Sequence, residues 1–180
     1  MPVIDINELP RDVQNDICEN LLENVPYLKS GNFDVLDVRD NLLDLAEPVP
    51  VLTYMAYTHD FEAQAGQRLV SEAAIKNLDQ VRKGLLVDGG ELDPILISKD
   101  RFIDGGHRFE LWRRKGLDRF PACDIHNLIT MDWEAWMEGE DISIPSPETP
   151  VEELVLDVFH GSFWLPGDED PDQHVFTEPD

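Results

Sequence analysis

The sequence predicts a mixed α/β (α+β) domain, and three observations predict it. Residues 51–125 alternate between β-type and helix-type patterns in the order strand, helix, hairpin, glycine turn, helix, strand. Apolar residues make up 42% of the 180-residue chain, enough to build a core. The net charge of −24 is unevenly divided: −8 over residues 1–50, zero over 51–119 and −16 over 120–180, where no Lys or Arg occurs. This pattern predicts an ordinary α/β domain over 51–130. An acidic helical extension precedes it (1–50), and an acidic C-terminal extension (131–180) follows, its last 15 or so residues expected to be mobile.

The elements follow in order. Leu9, Val13, Ile17, Leu21 and Leu22 recur every three to four residues and predict an amphipathic helix over 7–24, bounded by Pro10 and Pro26. Val35, Val38, Leu42 and Leu45 predict a shorter one within 33–45. Residues 51–58 (VLTYMAYT) are β-branched and aromatic and read as a strand. A polar stretch with Gly66 leads to a helix over 70–83, with Ser71 as its N-cap, a buried stripe of Ala74, Ile75, Leu78 and Val81, and Gly84 as its C-cap. A loop with a Gly89–Gly90 turn comes next. Pro94–Ser98 and Arg101–Ile103 form a hairpin about Lys99–Asp100, and Asp104-Gly105-Gly106 breaks it. His107–Lys115 is a helix ended by Gly116, and Phe120–Ile125 a last strand. Residues 132–138 read as a short helix docking Trp133 and Trp136, and 144–150 as an extended proline-rich linker. Residues 151–160 read as a final helix or strand.

Several function classes lose support at this level. No apolar run is long enough to span a membrane, and the N-terminus lacks the pattern of a secretory signal. A cytoplasmic protein is the expectation, of a cell or of a virus (a phage, for example) acting inside one. Cys18 and Cys123 read as small buried hydrophobes rather than a disulfide. A chain this acidic repels nucleic acid at long range, which disfavours it as a partner. The acidic flanks read as a solvated surface or as a docking face for a basic protein partner, including one that imitates DNA.

The stretch that carries chemistry is Phe102-Ile103-Asp104-Gly105-Gly106-His107-Arg108. A strand ends, two glycines follow, and a helix starts with a basic pair. The first N–H groups of a helix have no intrahelical partners, and the helix dipole places partial positive charge there. Glycines admit a ligand close to the backbone, and His107 and Arg108 add donors that suit phosphate oxygens. The motif alone also fits a glycine turn with two exposed cations. Glu110 is expected to pair with Arg113 or Arg114 along the helix. For Arg113, Arg114, Lys115 and Arg119 three readings stay open: a solvated face, a face turned to the acidic flanks, or a nucleic-acid contact.

Val81-Arg82-Lys83-Gly84, Asp93-Pro94-Ile95-Leu96-Ile97, Ile103-Asp104-Gly105-Gly106-His107-Arg108, Gly116 and Pro121-Ala122 occur in an order and spacing that resemble the ParB/sulfiredoxin-like superfamily, over roughly 40% of the chain. The Asp-Gly-x-His-Arg form of the turn most resembles the kinase-like branch. The resemblance implies nucleoside triphosphate binding, with Gly105, Gly106, His107 and Arg108 as phosphate ligands and Mg²⁺ accompanying ATP or CTP. Sulfiredoxins carry a reactive Cys where this chain has Gly106, and partitioning proteins carry a basic DNA-binding segment where this chain has an acidic one, so neither activity is expected. Asp104 reads either as a Mg²⁺ or water contact or as a cap for the following helix. Asp60 and Glu62 are further catalytic candidates, set against a plain surface loop. The function implied is an NTP-dependent phosphotransferase or NTPase acting on a small molecule or nucleotide. The alternatives are an acidic interaction or inhibitor protein and, third, a ParB-like nuclease.

Overall fold

The computed structural model describes residues 3–65, 71–87 and 93–148, the side chains of 65 and 81–87 excepted. Gly66, the Gly89–Gly90 turn, the element expected over 151–160 and the acidic tail lie outside these residues.

Five strands form one mixed sheet in the order β1-β2-β5-β3-β4: β1 (Val3–Asp5), β2 (Pro50–Tyr57), β3 (Ile95–Ser98), β4 (Arg101–Asp104) and β5 (Arg119–Asp124). Every neighbouring pair is antiparallel except β3 and β5. Eight α-helices are described: α1 (Arg11–Asn24), α2 (Pro26–Ser30), α3 (Val35–Leu42), α4 (Glu62–Ala65), α5 (Glu72–Val87), α6 (Gly106–Arg114), α7 (His126–Thr130) and α8 (Trp133–Met137). The fold class is therefore mixed α/β, as the pattern predicts.

Two cores flank the sheet. On one face α1, α3, α7 and α8 bury Val13, Ile17, Leu21, Val38, Leu128 and Trp133 against Val51, Leu96 and Cys123. On the other, Phe61, Phe102, Phe109 and Phe120 interlock, mostly edge to face, with centroids 4.7–5.3 Å apart, and α6 lies over β3 and β5. Such ring pairs add specificity beyond the area they bury. They fix α6, and with it the glycine turn. The N-terminal segment joins the sheet through β1, and Trp133 sits in the first core, so residues 3–49 and 131–148 pack with the central domain rather than beside it.

Most elements lie where the residue pattern puts them, and several details differ. Strand β1 is three residues long, too short for alternation to register. Pro26 follows the end of α1 but also starts α2 at its first turn, where a missing N–H costs nothing. Ser71 caps α5, its Oγ accepting the N–H of Ala74 at 3.2 Å. Ile75 is buried, with Ala74 and Leu78 half-buried. Gly84 does not end that helix, which continues through the apolar Leu85-Leu86-Val87; a mid-helix glycine is a cost of about 1 kcal/mol, not a stop. Asp104 is the last residue of β4 rather than its breaker. Helix α7 is an addition to the elements expected. Residues 144–148 form no free linker: Ile144 packs on the core, and Asn127 Nδ2 holds the Pro145 carbonyl at 2.9 Å. Cys18 and Cys123 are free and fully buried, and burial pushes the Cys18 thiol up to about 11.

Candidate functional site

The turn is built by a bulge, a left-handed glycine and a helix start. In the β3–β4 ladder Ile97 opposes Phe102 but Leu96 opposes Asp104, so Ile103 is the extra residue. The shift sets Asp104 level with Leu96, on the face covered by α1. There Asn20 Nδ2 reaches Asp104 Oδ2 at 3.3 Å, while Oδ1 accepts the N–H of Gly105 at 2.8 Å. Gly105 has φ 103° and ψ 25°, the left-handed region. A Cβ there would stand 3.2 Å from Arg108 Nη2 and from two Ile95 side-chain carbons, so only glycine fits without strain. The first intrahelical bond runs from the Phe109 N–H to Gly105 O at 2.9 Å. The N–H groups of Gly106, His107 and Arg108 precede it, and among the described residues no side chain caps them. Asp104 is thus not the cap of α6.

A cavity of about 310 Å³ opens at this helix end, lined by Asp104, Gly105, Gly106, His107, Arg108 and, from α5, Ala74, Asn77 and Leu78. All five residues of the predicted motif meet there. His107 Nε2 accepts the Ser71 N–H at 3.2 Å, which ties the ring to the start of α5 and leaves Nδ1 to carry the proton of the neutral ring. Arg108 Nη1 donates to the carbonyls of Asp93 at 3.0 Å and Pro94 at 2.9 Å. The guanidinium therefore also pins the entry to β3.

Carboxylates crowd this cation. Burial raises the Asp16 pKa, Asp104 raises it further, and Arg108 pulls it back. Asp93 is raised by burial, again opposed by Arg108. Asp16 was not legible as a site residue. It lies on the predicted first helix, one residue from its apolar stripe, and only the way α1 crosses the sheet brings it to the turn. Asn20 follows one turn later and was missed for the same reason.

The other candidates lie elsewhere. Asp60 and Glu62 are not among the cavity's lining residues; Asp60 sits in a short 3-10 turn after β2 and pairs with His59 Nε2 at 3.1 Å. Glu110 is buried and takes both Arg113 and Arg114, whose guanidinium also grips Glu72 of α5 at 2.6 and 2.7 Å. Lys115 lies 3.7 Å from Asp79, and Arg119 stacks on Tyr57, 4.2 Å from the ring centre. The basic patch is thus largely engaged within the molecule.

These shifts give a pH dependence. A carboxyl whose folded pKa exceeds its unfolded value contributes stability below the unfolded value and loses it as pH rises through the folded one. Asp16, Asp93 and Asp124 all have this sign, burial being the first cause in each. Glu72, lowered by its bond to Arg114, has the opposite sign but is fully exposed. The melting temperature is expected to fall as pH rises from about 4 toward neutrality, with Asp16→Asn reducing the fall by raising the neutral-pH value. Thermal melts of both proteins across that range check this; an unchanged slope in the variant would show that Asp16 is not strained.

Among the described residues no three His, Cys, Asp or Glu side chains come together as a metal site. No described helix is long and apolar enough to cross a membrane. No protein-family model, curated protein or solved structure matches the chain.

Proposed function

We propose that this chain is a nucleoside-triphosphate-binding protein of ParB/sulfiredoxin-like type, with a helical N-terminal and an acidic C-terminal extension. Its Asp104–Arg108 turn would hold the phosphate chain, and the reaction is Mg²⁺-dependent phosphotransfer or NTP hydrolysis on a small molecule or nucleotide. One observation carries this reading: the uncapped N-terminus of α6 opens on a cavity flanked by His107 and Arg108. Three backbone donors, the helix dipole, an imidazole and a guanidinium form a set suited to phosphate oxygens.

The surrounding carboxylates refine it. Asp16, Asp93 and Asp104 would repel a bare polyphosphate, so the nucleotide should bind as its Mg²⁺ complex. Asp104, with Asp16 beside it, would hold the cation, which when bound neutralises charge on the phosphates. Arg108 keeps the cradle in shape through the Asp93 and Pro94 carbonyls, and its Nη2 stands over Gly105. Asp16, linked to Asp104 through the Asn20 amide, joins Asp60 and Glu62 as a candidate for orienting a nucleophile.

Calorimetric titration with ATP, CTP, GTP and UTP tests this. One nucleotide is expected to bind only with Mg²⁺, and His107→Ala to weaken it about tenfold, the loss of one charge-assisted donor. Absence of binding by every nucleotide at millimolar concentration would sink the proposal. The acidic interaction-protein reading is favoured by one observation, the −16 charge over 120–180. It predicts salt-sensitive capture of a basic protein, indifferent to changes at the turn. The nuclease reading gains nothing from residues 113–119, whose cations are engaged internally.

A further inference from the structure

A second cavity, of about 570 Å³, lies at the opposite end of the sheet, within the size range of small-molecule sites. It opens where the parallel strands β3 and β5 end. From there the chain turns to the edge strand β4 on one side and to α7 on the other. Its polar wall is Tyr54, Lys99, Asp124, His126 and Asn127. Leu52, Pro145 and Pro147 supply apolar surface.

Asp124 is the last residue of β5 and is 7% exposed. Its carboxylate accepts two backbone N–H groups, that of His126 at 2.9 Å and that of Lys99 at 3.2 Å. Burial still raises its pKa despite these bonds. No cation among the described residues pairs with it, and a buried carboxylate so placed is costly unless something else meets it. The Asx-type turn to His126 accounts for one oxygen. Tyr54 lines the same cavity, and burial first, then the Asp124 carboxylate, push its phenol up to about 12. The phenol therefore stays neutral.

The neighbouring groups are held in place. His126 Nδ1 lies 2.7 Å from Ser98 Oγ, which fixes the ring. Lys99 Nζ is 3.3 Å from Glu148, so the one Lys or Arg among the described lining residues is directed to the segment 145–148 that forms one side. Asn127 Nδ2 ties that segment to β2, donating to Pro50 O at 2.8 Å and Pro145 O at 2.9 Å. Asn127 is 5% exposed, and its Oδ1 is buried without a hydrogen-bond partner among the described residues. Among the described lining residues, Asp100, Asp124 and Glu148 outnumber Lys99, and the wall is net negative.

We propose that this cavity is a second binding site, separate from the glycine turn, for a small organic cation: a primary ammonium group on an apolar body. The ammonium donates to the Asp124 carboxylate and the Tyr54 hydroxyl. The apolar body lies between Leu52 and the Pro145–Pro147 strap.

Phenethylamine and its neutral isostere 2-phenylethanol test this on the full chain, by NMR titration at neutral pH. The amine is expected to bind about tenfold or more tightly than the alcohol, the effect of one charged hydrogen bond. Asp124→Asn keeps an oxygen for the backbone donors and removes the charge. It is expected to erase the preference without loss of fold, while Tyr54→Phe weakens the amine a few-fold. Should Asp124→Asn melt early, Tyr54→Phe carries the test alone. Equal binding of amine and alcohol would overturn the proposal. So would no binding of either up to about 10 mM, or a folded Asp124→Asn that still prefers the amine. His107→Ala should leave the amine affinity unchanged, which keeps this outcome distinct from that at the turn.

Discussion

Arg108→Ala is expected to abolish nucleotide binding and to lower stability by about 2–3 kcal/mol, two carbonyl partners and one screening charge being lost together. Both effects follow from one guanidinium. Its Nη1 holds the Asp93 and Pro94 carbonyls, which fixes the entry to β3 beside the turn. Its charge also opposes the burial, and the lesser carboxylate repulsion, that raise Asp16 and Asp93. Without it, Asp104 is the one charged side chain among the described lining residues apart from His107, and a polyphosphate meets net negative charge. Arg108→Lys restores the charge but not the planar pair of donors, so it should recover part of the stability and little of the affinity. Denaturant melts and calorimetry on both variants check this. A folded Arg108→Ala protein that binds Mg²⁺-nucleotide as tightly as the wild type would leave the residue a purely structural role.

Trp133→Ala is expected to cost about 3–5 kcal/mol, the range for truncating a buried aromatic. Trp133 is 1% exposed, and its indole N–H donates to Leu128 O at 2.6 Å. The truncation leaves a cavity in the core that Trp133 shares with Leu128 and Met131, beside α2, and it strips Leu128 O of its donor. The melting temperature should fall by roughly 6–20 °C for a chain of this size. A loss below about 1 kcal/mol would mean that the segment after residue 130 is an appendage, as its acidity suggests, rather than part of the core.

Local pattern made most of the fold legible. The stripe of α1, the β-branched run of β2, the hairpin about Lys99–Asp100 and the helix after Gly106 all follow from periodicity and turn chemistry that survive in the folded chain. Position relative to the sheet was not legible. Nothing local tells that Val3–Asp5 adds a strand to β2, because three residues carry no period and the partner lies nearly 50 residues away in sequence. Net charge was misleading as a guide to domain boundaries. Asp12, Asp16, Glu19 and Glu23 mark α1 as acidic, but Ile17, Cys18 and Leu21 decide that it packs on the sheet.

The site divides in the same way. Gly105, Gly106, His107 and Arg108 are contiguous, so the motif could be read directly, and the structure gathers them around one cavity. Asp16, Asn20, Ala74 and Asn77 come from helices far away in sequence, and only packing brings them to the turn. The bulge that turns Asp104 toward α1 is a one-residue offset in the ladder, which composition does not encode. The second cavity combines the ends of β3 and β5 with a proline segment that reads as a linker. Its residues are unremarkable until the sheet aligns them.

The central claim is that the backbone at the start of α6 receives phosphate. Amide-resolved ¹⁵N NMR of the full chain, titrated with Mg²⁺-nucleotide and separately with Mg²⁺-pyrophosphate, tests it directly. The account predicts that the N–H resonances of Gly106, His107 and Arg108 move most with both ligands, while those of Lys99 and His126 at the other end of the sheet stay in place. Shifts spread evenly over the surface, or none at the three α6 amides at saturating ligand, would contradict it.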